Sequence, residues 1–448
     1  MSYQVPASPA ISPALSPASK YYRRYALTVL LIIYILNFLD RQIVAILAEP
    51  IKNELHLADW QLGVMTGLAF ALFYTVLGIP IARYAETGHR PRIIAVAAGV
   101  WSLFTIACGF AQNFVQLVAC RVGVGIGEAG CTPPAHSLIT DYTPREKRAS
   151  ALAFYALGTP LGGLLGLALG GLIADAYGWR TAFLFAGLPG LLMAIIAWTT
   201  LREPRGQLHA DLAALKASRP DFKTAMAEIR GKRTFWLIAF AAAIKAFIGY
   251  GAAAFLAPFF FRNHAAELTE IAGGFGLGVT GFLGVALGIV LGLTGAVGTY
   301  LGGYLADKYG ARDLRAYVSI PAISTLLGIP FYIAGLLVDS AVVALILFAF
   351  PPILNTLWYG PGYAAVQGLV QPHTRATATA VLLFIINLIG LGLGPLGVGA
   401  VSDFISGPMG LGSAEGVRWS LLLFILFGAV ASGLFWLARS SIREEMVS

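Results

Sequence analysis

The sequence predicts an all-α membrane protein: twelve transmembrane helices in two six-helix bundles, related by a pseudo-twofold axis along the membrane normal. Three observations lead there. Of its 448 residues, 58% are hydrophobic and only 12% are charged, whereas soluble domains carry about 25% charged residues. The apolar residues fall into long runs, each near the roughly 20 residues that a helix needs to cross hydrocarbon. The segments that follow the second and fourth runs recur six runs later.

In chain order, residues 1–20, rich in Pro, Ser and Ala, read as a disordered tail. The runs then fall near 22–47, 60–84, 93–111, 114–139, 147–174 and 180–201. A second set falls near 234–261, 275–306, 314–337, 341–369, 375–403 and 416–438. The first run is too long for the apolar core of a signal peptide and contains Asp40 and Arg41, so it reads as a span. Unpaired backbone groups are costly in lipid, which leaves helices or a closed barrel. Continuous runs of this length are not the short alternating strands of a barrel. The domains predicted are a first bundle at 21–201, a linker at 202–233, a second bundle at 234–438 and a tail at 439–448.

Assigning alternate loops to opposite sides separates the basic residues. One side receives Lys20, Arg23, Arg24, Arg83, Arg90, Arg92, Arg145, Lys147, Arg148, the linker, Lys308, Arg312, Arg315, Arg375, Arg439 and Arg443. The other receives only Lys52, Arg180, Arg262 and Arg418. The positive-inside rule then places both termini in the cytoplasm, in a plasma or inner membrane. The net charge of +8 is therefore ascribed to membrane orientation rather than to a nucleic-acid partner. The linker holds eight Lys or Arg and four Asp or Glu, with Leu208, Leu212 and Leu215, and then Phe222, Met226 and Ile229, at helical spacing. Short amphipathic helices on the inner membrane surface or a loose charged connector both fit. Cys108, Cys120 and Cys131 have no metal-ligand spacing, and no metal or disulfide framework is expected.

The repeat supports division at the linker. Arg83-Tyr-Ala-Glu86-Thr-Gly88-His-Arg90 follows the second run, and Gly303-Tyr-Leu-Ala-Asp307-Lys308-Tyr-Gly310-Ala-Arg312 follows the eighth. Pro144-Arg-Glu-Lys-Arg148 follows the fourth, and Pro372-His-Thr-Arg375 follows the tenth. The two halves thus share one orientation, as parallel repeats do.

Residues 303–312 closely resemble the signature G-x-L-A-D-R-x-G-R-R of the major facilitator superfamily, and residues 82–92 resemble it loosely, with Ala82, Glu86 and Thr87 departing from it. Arg121-Val-Gly-Val-Gly125-Ile-Gly127 is similar to its fourth-helix pattern, Gly158-Thr-Pro160-Leu-Gly162-Gly163 partly resembles its antiporter motif, and the eleventh run has Gly394-Pro395. Asn37-Phe-Leu-Asp40-Arg41 and Gly125-Ile-Gly127-Glu128-Ala129-Gly130 resemble two motifs of its spinster-like branch. Organic-anion symporters of the superfamily share the first of these.

Charges within spans are costly and usually functional or paired. Arg121 and Glu128, two helical turns apart, share a face. Asp40 and Arg41 point about 100° apart and cannot serve one partner equally. All four are expected to face a central cavity, with Glu128 the proton carrier, Asp40 the counter-charge of Arg41 or a second proton site, and Arg41 and Arg121 anion-binding or charge-switching groups. The resemblance points the same way for Glu128. Lys245 either lines the cavity or snorkels outward. His136 reads as a helix-end residue, and Asn37, Tyr155, Asn355, Trp358, Tyr359 and Asn387 are candidates for cavity lining. The resemblance implies that Glu86, Arg90, Asp307, Lys308 and Arg312 clamp an inner gate.

No Walker pattern occurs, and the six histidines are scattered, so neither nucleotide hydrolysis nor a clustered enzyme site is expected. The expectation is alternating-access transport without a cofactor, with a proton as coupling ion. The resemblance implies an amphipathic anionic lipid substrate such as a lysophospholipid or sphingosine phosphate; the alternative is a small organic anion or drug. The oligomeric state is not legible.

Overall fold

Among the described residues, twelve helices are long and apolar enough to cross a membrane, and they alternate in direction, so both described chain ends lie on one face, here the terminal face. The computed structural model describes residues 19–144, 147–204, 222–310, 312–371 and 374–447, without the side chains of residues 86, 87, 149 and 376. No strand occurs among the described residues. The six spans of the first half are Lys20–Leu55, Asp59–Ala85, Arg90–Cys108, Phe114–Tyr142, Ser150–Tyr177 and Trp179–Thr200. Those of the second are Arg233–Asn263, Val279–Gly310, Ala316–Leu337, Ala341–Gly368, Thr377–Ser406 and Gly412–Ser440.

The first span starts where the Ser19 hydroxyl accepts the Tyr22 amide at 3.2 Å, and it ends at His56, whose φ of 53° is left-handed. Its 36 residues extend about 54 Å at 1.5 Å per residue, well beyond the hydrocarbon. The surplus turns carry Glu49, Lys52 and Glu54 to the distal face.

Several spans are not continuous helices, contrary to the run lengths. The fourth stops at Glu128, turns through residues 129–131 and restarts at Thr132. Pro133 and Pro134 cause this: they lack amide donors for the preceding turn and suit a helix start. The tenth span, its pseudo-symmetric counterpart, runs as Ala341–Leu347, Phe350–Thr356 and Tyr359–Gly368. Pro351 and Pro352 open the middle piece. The second, eighth and eleventh spans contain π-helical turns at Val64–Leu68, Gly288–Leu293 and Ile386–Leu393.

The halves meet where these turns lie. The second span packs on the eleventh and the fifth on the eighth, while the first touches the seventh. Glycine permits the approach: a Cβ on Gly171 would lie 2.5 Å from the Thr280 carbonyl oxygen, and one on Gly67 would lie 2.8 Å from that of Leu391. Small residues are the usual means of close helix contact in lipid.

Linker residues 205–221, including Leu208, Leu212 and Leu215, lie outside the described residues. The helix Phe222–Arg230 does form, and it packs one face against the second half. Ile229 is fully buried in a core with Phe235, Val366 and Leu369, and the Glu228 carboxylate accepts the Gln371 amide and the Thr374 hydroxyl. The linker is thus fastened to the second half.

Candidate functional site

Two ion pairs occupy the middle of the first half. Arg41 Nε donates to Glu128 Oε2 at 2.6 Å. The guanidinium carbon lies 4.9, 4.8 and 4.5 Å from the ring centroids of Phe38, Phe70 and Tyr74. The Glu128 side chain has no exposure, while Arg41 keeps 15%. Asp40, one residue earlier, turns the other way. Its carboxylate accepts Arg121 Nη1 at 3.2 Å and the Thr105 hydroxyl at 2.7 Å, all three residues being buried.

This corrects two expectations. Asp40 is the counter-charge of Arg121 rather than of Arg41, because the 100° between consecutive helical residues sends the two to different partners. Nor do all four face one cavity: Asp40 and Arg121 are enclosed between the first, third and fourth spans.

The buried charges are incompletely satisfied. Glu128 Oε1, Arg121 Nε and both amide atoms of Asn37 are buried without a hydrogen-bond partner. Asn37 lies one helical turn before Arg41, on the same side of the span. Buried polar atoms are nearly always bonded, so these are the least tied polar groups of the centre. Glu128 also sits at the break in the fourth span, where the preceding helix ends.

The other sequence candidates are dispersed. Tyr155 is buried and stacks on Tyr34 at 4.3 Å, with His136 edge-on at 5.4 Å. Lys245 neither lines a cleft nor snorkels: it is 2% exposed and donates to the Thr325 hydroxyl on the ninth span at 2.6 Å. It repeats in the second half the placement that Asp40 and Thr105 have in the first. Trp358 and Tyr359 pack together at 4.8 Å at a break in the tenth span. Asn355 lies in the piece just before that break and Asn387 in the π turn of the eleventh span. Tyr250 of the seventh span packs against the first-half core within electrostatic reach of Arg41, a contribution that sequence reasoning misses.

Of the gate candidates, Arg90 is fully buried. It donates to Asp141 at 2.7 Å, to Ser137 at 2.9 Å and, through Nε, to Glu203 at 3.1 Å, joining the third span, the fourth and the start of the linker. Those contacts stay within the first half. Asp307, Lys308 and Arg312 are exposed and make no ion pair among the described residues; Lys308 lies 5.6 Å from the Tyr304 and Tyr309 ring centroids. They do not clamp a gate in this conformation. The Glu86 side chain lies outside the described residues.

Instead, charges at the distal face join the halves. Arg262 of the seventh span grips Glu49 at 2.8 Å and Asp59 at 2.7 Å. Lys52 reaches Asp59 at 2.5 Å, and the Ser402 hydroxyl donates to it at 2.6 Å. Asp403 accepts the amides of Asp59 and Trp60, at 3.0 and 2.7 Å. Asp175 of the fifth span accepts the Gly278 amide at 2.6 Å. By sequence, Lys52 and Arg262 are only sparse basic residues of the far side. The available signal is the company of Glu49, Asp59 and Asp403 at neighbouring span ends.

Residues 30–395 match the family model of the Major Facilitator Superfamily. The chain belongs to that superfamily. It is 31% identical to an MFS-type efflux pump of Mycolicibacterium smegmatis, over 94% of each chain. It is 26% identical to protein spinster homolog 1 of Homo sapiens, covering 92% of this chain and 80% of that one. A crystal structure of a bacterial homolog of the human lysosomal transporter Spinster, inward-facing and unoccupied, is 34% identical, with a TM-score of 0.83 over 96% of this chain and 100% of that one. The transporter is thus of the spinster-like branch, as the first- and fourth-span motifs suggested.

Proposed function

We propose that the transporter is a proton-coupled secondary transporter that works by alternating access and moves an amphipathic anionic lipid. The observation that carries this reading is the Arg41–Glu128 pair at mid-span: a fully buried carboxylate joined through one oxygen to a partly exposed guanidinium, with its other oxygen unpartnered. A carboxylate so placed can hold its charge only while the guanidinium stays beside it. If an anionic headgroup draws Arg41 away, Glu128 takes up a proton; when the headgroup leaves, Arg41 returns and the proton is released. The aromatic wall of Phe38, Phe70 and Tyr74 suits the apolar part of such a ligand.

The basic terminal face is proposed as cytoplasmic. The distal ion cluster then closes the outer side and the conformation is inward-facing, the state in which the similar Spinster homolog crystallised. The lipid substrate is what the spinster-like motifs imply; similarity to an efflux pump from Mycolicibacterium smegmatis supports export, which also fits a second reading with small organic anions or drugs as cargo.

A binding panel on purified protein separates the two. Lysophosphatidate and sphingosine phosphate should raise the unfolding temperature of the wild type and not of Arg41→Ala. Stabilisation by small carboxylates alone would favour the second reading, and equal lipid binding by both proteins would remove Arg41 from the headgroup site.

A further inference from the structure

Far from the charged centre, the outer wall of the first half carries a slot of about 240 Å3 between the third and sixth spans. Ala95, Val96, Ala194, Ile195 and Trp198 line it. Small residues create it: a Cβ placed on Gly99 would have Ala194 Cβ, 3.9 Å away, as its nearest neighbour. Arg92, Ala95, Val96 and Gly99 fall at i, i+3, i+4 and i+7, so one helix face presents the apolar floor with a guanidinium at its end. Val96, Ile195 and Trp198 are each more than half exposed, and on a span that exposure faces lipid.

The mouth of the slot is basic and aromatic. Arg92 lies 5.6 Å from the Trp198 ring centroid, and Arg202, just beyond the sixth span, lies 5.1 Å from that of Tyr22. Both belong to the terminal ends of their spans, the level of headgroups, where Trp and Tyr concentrate. Neither makes an ion pair among the described residues. The nearby carboxylates Asp141 and Glu203 are bound by Arg90. The Arg92 guanidinium, against Trp198 of the lining, therefore stands unneutralised at the end of an apolar slot that opens to the bilayer.

We propose that the slot binds an acyl chain of an anionic phospholipid from the terminal-face leaflet, with the lipid phosphate on Arg92. A guanidinium suits phosphate through paired donors. A zwitterionic lipid would bring its ammonium to the same arginine and lose that advantage. The site is separate from Arg41 and Glu128, and its occupant is a resident lipid rather than cargo.

The test is thermal unfolding of the purified full chain in detergent, titrated with phosphatidylglycerol or phosphatidylcholine. The wild type should respond to phosphatidylglycerol at about fivefold lower concentration, the effect of one basic residue near an anionic lipid. Arg92→Gln should abolish that preference. Val96→Trp, a change at an exposed position, should fill the slot and weaken both lipids. Equal response of the wild type to both lipids would mean annular contact only and overturn the proposal. Retained preference in Arg92→Gln, or an unaltered response in Val96→Trp, would overturn the headgroup or the acyl assignment respectively.

Discussion

Asp40 and Arg41 are consecutive on the first span, yet each is paired with a different charge on the fourth: Asp40 with Arg121 at 3.2 Å, Arg41 with Glu128 at 2.6 Å. The pairs run in opposite sense, so the buried set is neutral as a whole. They are not equivalent. Thr105 fixes the first from a third helix, whereas the second is held through a single carboxylate oxygen beside a partly exposed guanidinium. The first pair is tied by three helices and enclosed, and the second borders a partly exposed guanidinium.

The Arg41–Glu128 coupling is measurable as stability. Removing one member of a buried pair strands its partner at a cost of about 3–5 kcal/mol. Arg41→Ala alone should destabilise the purified transporter by that order, and Arg41→Ala with Glu128→Gln should recover most of it. Additive losses in denaturant unfolding would show that the two side chains do not depend on each other.

Thr105→Val removes one of two partners of Asp40 while keeping the side-chain shape. A hydrogen bond to a charged group contributes about 1.5–3 kcal/mol. The unfolding temperature should fall accordingly, with substrate affinity unchanged because Asp40 is enclosed between three spans.

Arg262→Ala removes the distal link to Glu49 and Asp59 at once. A shift of about 3 kcal/mol moves a two-state equilibrium roughly a hundredfold. Spin labels at Tyr177 and Phe275, both well exposed at distal span ends, would report it. The distance between them should lengthen in the variant; an unaltered distribution would show that the cluster does not hold the halves.

Acid sensitivity outside the spans has a defined sign at Glu267. The Ala341 amide and the Ser340 hydroxyl donate to its carboxylate, at 2.6 and 2.9 Å, and hold its pKa below the ordinary 4.5. A depressed carboxyl contributes stability above its unfolded pKa and loses it as pH falls through the folded value. Glu267→Gln should therefore match the wild type once Glu267 is protonated, and be the less stable of the two at pH 7.

Span number, the two-half repeat and the identity of the buried charges were legible because run length, loop charge and ionisable residues in apolar context are local properties. Partner choice was not. Asp40 and Arg41 could each have paired with the other or with the opposite charge on the fourth span, and helical geometry together with packing against Thr105 decides between them. Lys245 was misplaced for the same reason: a lysine in a span reads alike whether it meets a cleft, lipid or the Thr325 hydroxyl. The break at Glu128 is readable in Pro133-Pro134, but the length of the apolar run masks it. The distal cluster escaped because Glu49, Asp59, Arg262 and Asp403 come from four spans, and their charges are informative only together.

Substrate-driven proton flux in proteoliposomes, wild type against Glu128→Gln, is the most direct test of partner exchange at the buried pair. With an internal pH dye and a lysophospholipid gradient, the wild type should acidify or alkalinise the lumen in step with lipid movement. The Glu128→Gln protein should exchange lipid down its gradient without moving protons. Coupled proton flux that survives the substitution would contradict a switching role for Glu128.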